Sequence, residues 1–109
     1  MRVAGMGFQR SAPPAALRAA LASVGAVDHV ATARSKAAAL AQILGCDVRG
    51  ADVAGIATPT MSQASLNAHG TGSVAEAAAL VVAGPNARLL EKRKIIGGVT
   101  IAVAEGDGR

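Results

Sequence analysis

The sequence predicts a single α/β domain spanning residues 1–109. Its expected form is a three-layer α/β/α arrangement, with a mixed, mainly parallel sheet and a C-terminal antiparallel hairpin. Three observations predict it. The length of 109 residues suits one domain. Short apolar segments alternate with amphipathic helical segments, and two strand-like segments follow one another near the C-terminal end. Hydrophobic residues make up 51% of the chain, which is enough for a folded core.

The core is expected to be thin. Alanine outnumbers leucine, isoleucine, valine and phenylalanine combined, so much of the apolar inventory consists of methyl groups. The chain has no Trp, no Tyr and a single aromatic residue, Phe8. The usual stacking platforms for nucleobases, flat cofactors and sugars are therefore missing, and no cofactor is expected.

The first two strand–helix units are predicted from apolar runs and glycine stops. Residues 2–8 form an apolar segment that predicts a strand, and the pair Pro13–Pro14 marks the start of a helix that Gly25 ends. Residues 27–33 predict a second strand and residues 36–44 a second helix. The inward-facing stripes of the two helices are Leu17, Leu21 and Val24, then Leu40, Ile43 and Leu44.

The third unit contains the clearest helix. Residues 52–58 predict a third strand, followed by a polar loop that runs to Gly72. Residues 73–83 predict an alanine-rich helix that opens on a capping-box pattern, with Ser73 three residues before Glu76, and closes on a glycine–proline stop.

The C-terminal end predicts a hairpin. Residues 88–91 and 99–104 are typical of two strands joined by a basic, glycine-containing turn. Residues 92–94 are the densest basic cluster, but three contiguous charges without aromatic neighbours are a poor nucleic-acid footprint. A solvated turn is favoured, and a small basic module for nucleotides or nucleic acid stays open as an alternative function.

Two glycine-rich turns are candidates for holding an anion. Gly5-Met6-Gly7 lies in the last part of the first predicted strand segment, and Gly70-Thr71-Gly72-Ser73 leads into the last predicted helix. Amide hydrogens at a helix N-terminus attract phosphate or carboxylate, and glycine lets the anion approach. Two alternatives stay open: a capping box that satisfies the amides internally, and tight turns that need only positive φ.

The net charge and the small number of cysteine and histidine side chains restrict the partners and metal sites that are expected. The formal net charge of +4 favours anionic partners. No run of residues has the length of a membrane span or the pattern of a signal peptide, so a cytoplasmic protein is expected. Cys46 has no disulfide partner, and neither His29 nor His69 sits at a metal-ligand spacing, so no metal site is expected.

The residues resemble a known family. The stretch Gly70-Thr71-Gly72-Ser73-Val74-Ala75-Glu76-Ala77-Ala78-Ala79-Leu80 is the specific part, and Val99-Thr100-Ile101-Ala102-Val103-Ala104 supports it. Val3-Ala4-Gly5-Met6-Gly7 and Ala31-Thr32-Ala33 with Lys36 resemble the family's opening strand, glycine turn, second strand and lysine. Together they resemble the C-terminal domain of the cobalamin-biosynthesis protein CbiG and its stand-alone relatives of the CobE type, over almost the whole chain.

The resemblance implies a role in building the corrin ring of vitamin B12. The expected partner is a precorrin or corrinoid intermediate, together with other enzymes of the pathway, and a homodimer stays open. Hydrolysis of a lactone-bearing precorrin, which the resemblance associates with full-length CbiG, stays open as an alternative, so whether the chain is an enzyme is left undecided. No catalytic residue is assigned. The residues expected to bind the substrate are Gly7, Arg10, Lys36, Gly70, Thr71, Gly72, Ser73 and Glu76.

Overall fold

The computed structural model describes residues 1–9, 11–56, 58 and 72–107. The secondary structure alternates strands and helices before ending in two successive strands, as the sequence predicts. In chain order the elements are β1 (Arg2–Gly7), α1 (Pro14–Ala22), β2 (His29–Ala33), a 3₁₀ turn (Arg34–Lys36), α2 (Ala37–Leu44), β3 (Val48–Ala51), α3 (Val74–Ala83), β4 (Arg88–Ile96) and β5 (Val99–Glu105).

The five strands form one sheet in the order β3-β2-β1-β5-β4. Strands β1, β2 and β3 pair in parallel, while β5 is antiparallel to both of its neighbours, β1 and β4. Every strand except β5 therefore runs in the same direction. The prediction of a mixed, mainly parallel sheet with a C-terminal antiparallel hairpin is confirmed.

Helices cover both faces of this sheet. Helices α1 and α2 pack on one face, where Ala4 and Met6 of β1 join Leu17 and Leu40 in one core cluster. Helix α3 packs on the other face, where Val3 of β1 belongs to a second cluster. Successive residues of a strand point to opposite faces, so β1 contributes to both clusters in alternation. Within the described residues, no helix combines the length and the apolar character that a membrane span requires.

Helix α3 approaches β1 so closely that Gly5 has no room for a side chain. A Cβ atom at Gly5 would collide with the carbonyl oxygen of Ala75 and would lie 2.7 Å from the nitrogen of Ala79. Ala75 and Ala79 are themselves fully buried. The small side chains of the helix and the missing one on the strand thus let two backbones meet directly.

The prediction of the third strand is wrong in its position. Residues 52–56 lie outside any strand, with Gly55 in a turn at φ +77°. Strand β3 is instead Val48–Ala51, which pairs with β2 from Val30 to Ala33. Val53 is buried without being in a strand, and an apolar pattern cannot distinguish these two cases. The predicted polar loop lies, from residue 59 to 71, outside the described residues.

The basic cluster is in a strand and not in a turn. Strand β4 continues through Lys92, Arg93 and Lys94 to Ile96, so the predicted end at residue 91 is wrong. The turn consists of Gly97 and Gly98, which have φ values of +57° and +83°. Two successive glycines at positive φ supply a tight turn without any of the basic residues.

Replacing Gly5 with alanine is expected to destabilise the fold strongly. The added methyl group has to push α3 away from β1, against backbone atoms that cannot rotate aside, so Gly5→Ala is expected to lower the free energy of unfolding by about 3 kcal/mol. Urea unfolding followed by circular dichroism measures this change.

Gly25→Ala is the matched control. Gly25 has a φ of +73°, and a Cβ atom there would meet nothing within 4 Å, so alanine introduces backbone strain without a collision. That strain costs about 1 kcal/mol. Equal losses in the two variants would contradict the close approach at Gly5.

Candidate functional site

The amino end of helix α3 lies at the edge of the sheet where the parallel strands end. A Cβ atom at Gly7, the last residue of β1, would lie 3.6 Å from the Cβ atom of Val74, the first residue of α3. Further along the helix, Ala79 contacts Gly5. The helix therefore runs antiparallel to β1, and its N-terminus lies at the carboxyl edge. This is the edge at which open α/β sheets bind ligands.

Ser73 caps this helix. Its backbone is extended, and its Oγ accepts a hydrogen bond from the backbone nitrogen of Glu76 at 3.3 Å. The first-turn amides of a helix have no partners within the helix, so this bond satisfies one of them. The predicted cap is present. The hydroxyl also carries a donor hydrogen, which a carboxylate can accept.

Glu76 is fully buried and ties the helix to the edge strand. Its Oε2 accepts a hydrogen bond from the backbone nitrogen of Arg93 at 3.1 Å. Arg93 lies in an irregular part of β4, because the register with β5 shifts between Glu91 and Lys94. A bulge removes backbone groups from the regular ladder, and here a carboxylate from α3 takes up one of them.

Lys36, the last residue of the 3₁₀ turn that follows β2, reaches the end of β1. Its Nζ donates a hydrogen bond to the carbonyl oxygen of Phe8 and lies 5.1 Å from the centroid of the Phe8 ring. Both contacts are favourable for an ammonium group. The side chain therefore brings a positive charge to the same edge of the sheet as the N-terminus of α3.

The last carbonyl groups of β1 and its extension are held by three side chains from three elements. Besides the bond from Lys36 to Phe8, Thr32 of β2 donates its hydroxyl to the carbonyl oxygen of Met6 at 2.7 Å. Thr100 of β5 donates to the carbonyl oxygen of Gly7 at 3.1 Å. Successive backbone groups at the carboxyl edge are thus fixed from both sides.

Four of the predicted substrate-binding residues lie at one edge of the sheet. These are Gly7, Lys36, Gly72 and Ser73, with Gly72 in a buried bend just before the cap. Glu76 adjoins them inside the protein. The remaining predicted residues, Arg10, Gly70 and Thr71, lie outside the described residues.

Sequence reasoning misses the roles of Phe8, Thr32 and Thr100. The threonines act through the carbonyl groups of a neighbouring strand, so only the pairing of β2 and β5 with β1 reveals them. Phe8 is conspicuous in the sequence as the single aromatic residue, but its contact with Lys36 spans 28 positions of sequence.

A cavity of about 380 Å³ lies at the opposite edge, near the amino ends of β2 and β3. Its lining includes Asp28, His29, Cys46 and Asp47. Asp28 already accepts a hydrogen bond from the backbone nitrogen of Arg2 at 2.7 Å. Among the residues the structure describes, no group of three histidine, cysteine, aspartate or glutamate side chains could hold a metal ion.

The fold and the edge together define a small three-layer α/β domain in which a capped helix N-terminus and a lysine both lie at the edge where the parallel strands end. The family described as cobalamin synthesis G C-terminus matches residues 2–104. The chain therefore belongs to this family, and it is a protein of the cobalamin biosynthesis pathway.

Two solved structures agree with this assignment. One is CobE, described as a protein from the cobalamin (vitamin B12) biosynthetic pathway; it is 27% identical, with a TM-score of 0.77 over 100% of this chain and 92% of that chain. The other is the cobalamin biosynthesis protein chiG from Agrobacterium tumefaciens, which is 31% identical, with a TM-score of 0.70 over 98% and 99%. A comparison with curated proteins finds no match.

Removing the cap is expected to cost a modest amount of stability. Ser73→Ala deletes the acceptor of the Glu76 amide and is expected to lower the free energy of unfolding by about 1 kcal/mol. Ser73→Gly is expected to lower it by only a few tenths of a kcal/mol. Chemical denaturation of both variants gives the comparison. An alanine variant as stable as the wild type would show that the cap contributes nothing.

The tie between Glu76 and Arg93 predicts a local effect as well as a global one. Glu76→Ala leaves the half-buried Arg93 amide without this acceptor and empties the fully buried site of the Glu76 side chain, so it is expected to cost about 3 kcal/mol. Glu76→Gln keeps an acceptor oxygen and is expected to cost less. Hydrogen exchange at the Arg93 amide is expected to accelerate in the alanine variant, and an unchanged rate would contradict the tie.

Proposed function

We propose that this protein binds a precorrin or corrinoid intermediate of corrin-ring formation at the carboxyl edge of its sheet. The observation that carries the proposal is that, in a chain of this family, the N-terminus of α3 and the ammonium group of Lys36 lie at the same edge. Both favour the negative charges of such an intermediate.

The ligand is a polyanion because its ring carries acetate and propionate arms. A carboxylate is stabilised by the amide hydrogens and the partial positive charge at a helix N-terminus. Gly72 and Ser73 place backbone amides there, and Gly7 leaves the adjoining strand end without a side chain. The proposal also includes Gly70, Thr71 and Arg10, which lie outside the described residues.

Positive charge adds a long-range attraction. Lys36 contributes a cation whose contact with Phe8 keeps it at the edge, and the formal net charge of +4 attracts the ligand from a distance. The carboxylate arms need no aromatic platform, since they are recognised by hydrogen bonds and charge.

Two observations favour binding over hydrolysis. The Ser73 oxygen accepts the Glu76 amide as a cap, and the Glu76 carboxylate is buried against the backbone of β4. Ser73 and Glu76, which offer nucleophilic and acid–base groups in the specific sequence stretch, thus serve the structure. The protein is proposed to hold the intermediate and pass it to other enzymes of the pathway in the cytoplasm.

Titration with hydrogenobyrinic acid tests the proposal. The visible spectrum of this corrinoid is expected to change on binding, with saturation at about tens of micromolar protein, which is equivalent to a binding free energy of about −6 kcal/mol. Because charge contributes, the affinity is expected to fall as salt is added. An unchanged spectrum at these concentrations would contradict the proposal.

The Lys36→Met variant tests the position of the charge. It is expected to weaken binding about tenfold, because a charge-assisted contact at the edge is lost. Arg2→Met removes the same unit of charge from the amino end of β1 and serves as the control, with an expected change of less than about twofold. Equal effects would show that only net charge matters. Circular dichroism checks that both variants fold.

A further inference from the structure

Ile95 is unusually exposed for a large aliphatic side chain in this protein. Its relative exposure is 68%, against 40% for Val81 and 38% for Leu90, the other large exposed hydrophobic residues in the described part of the chain. It lies near the carboxyl end of β4, the edge strand. The chain has few large apolar residues, so the position of Ile95 in the fold indicates whether its exposure serves a function.

The pairing places Ile95 on the face that α3 covers. Ile95 is paired with Thr100 of β5, and paired residues project from the same face of a sheet. The Thr100 hydroxyl bonds to Gly7 and would lie 2.5 Å from a Cβ atom there. That same Cβ atom would point to Val74 of α3. Ile95 therefore lies on the α3 side, two strand spacings or about 10 Å from Gly7.

The next residue of β4 shows the contrast. Ile96 points to the opposite face, where it packs against the cluster around α1. Helix α3 begins over Gly7 and runs back along β1, away from this edge. The carboxyl end of β4 therefore extends beside the N-terminus of the helix. On the face that α3 covers, Ile95 is its apolar side chain.

Glu76 fixes this part of β4 relative to the helix. Its carboxylate holds the backbone nitrogen of Arg93, two residues before Ile95. Hydrogen bonds thus connect three parts of the structure: the N-terminus of the helix, the strand residues Gly7 and Thr100, and the strand that carries Ile95. These bonds fix the position of the Ile95 side chain relative to the N-terminus of α3.

We infer that Ile95 is the apolar contact for the ring of the corrinoid, beside the edge that takes its carboxylate arms. This inference rests on the proposed function. Ligand sites combine apolar walls with a few placed polar groups, and the sequence contains no Trp or Tyr to form such a wall. Phe8, the single aromatic residue, packs against the cluster on the other face of the sheet. An aliphatic side chain on the α3 side fills this role.

The test compares Ile95→Ser with Leu90→Ser in titrations with hydrogenobyrinic acid. Leu90 lies on the same strand, five residues earlier, and also exposes an aliphatic side chain. Ile95→Ser is expected to weaken binding about tenfold, while Leu90→Ser changes it by less than about twofold. Ile95→Val, which keeps an aliphatic contact, is expected to stay within about threefold of the wild type.

The outcomes separate the two proposals. If the wild type binds and Ile95→Ser binds as tightly as Leu90→Ser, the role of Ile95 is wrong and the proposed function stands. If the wild type does not bind, the proposed function fails and this inference fails with it. Matching unfolding curves for the variants establish that any loss arises at the contact itself.

Discussion

Helix α3 and strand β1 touch through their backbones, and this contact governs the rest of the molecule. At Gly5 a side chain would strike the carbonyl of Ala75, and at Gly106 a Cβ atom would lie 2.9 Å from the carbonyl carbon of Ala83. Glycines therefore allow the helix to pack closely at both of its ends. This explains how an alanine-rich chain forms a core: short side chains bring the layers close, and close layers bury more backbone and methyl surface.

The same contact determines where the N-terminus of the helix lies over the sheet. With Ala79 against Gly5, the first turn falls over Gly7, so the amides that α3 leaves without helical partners lie at the carboxyl edge. The carbonyl groups of Met6, Gly7 and Phe8 are meanwhile held by side chains from neighbouring elements. Helix and strand end are therefore positioned by one set of contacts, so the described part of the proposed site is already formed before a ligand binds. Preformed groups bind at a lower entropic cost than groups that must be ordered.

The sequence predicts those features of the fold that depend on residues close together in the chain. Ser73 and Gly84 mark the ends of α3 because capping is a matter of a few residues, and the structure follows them. The third strand is misplaced by the sequence pattern because Val53 is buried outside any strand, and burial alone determines the pattern. The contacts from Lys36 to Phe8 and from Glu76 to Arg93 link distant residues through the sheet order and a bulge. No window of sequence contains that information. The sequence therefore predicts candidate residues that lie at this edge, but not the long-range contacts that hold them there.

Mapping of bound ligand onto the backbone is the most direct test of the central claim that the carboxyl edge is the site. Hydrogenobyrinic acid is added to ¹⁵N-labelled protein, and the shifts of backbone amide signals are followed by NMR. We expect the largest shifts at Gly7, Gly72 and Ser73, with little change at His29 and Cys46, which line the cavity at the opposite edge. Shifts centred on His29 and Cys46, with the carboxyl edge unchanged, would contradict the claim.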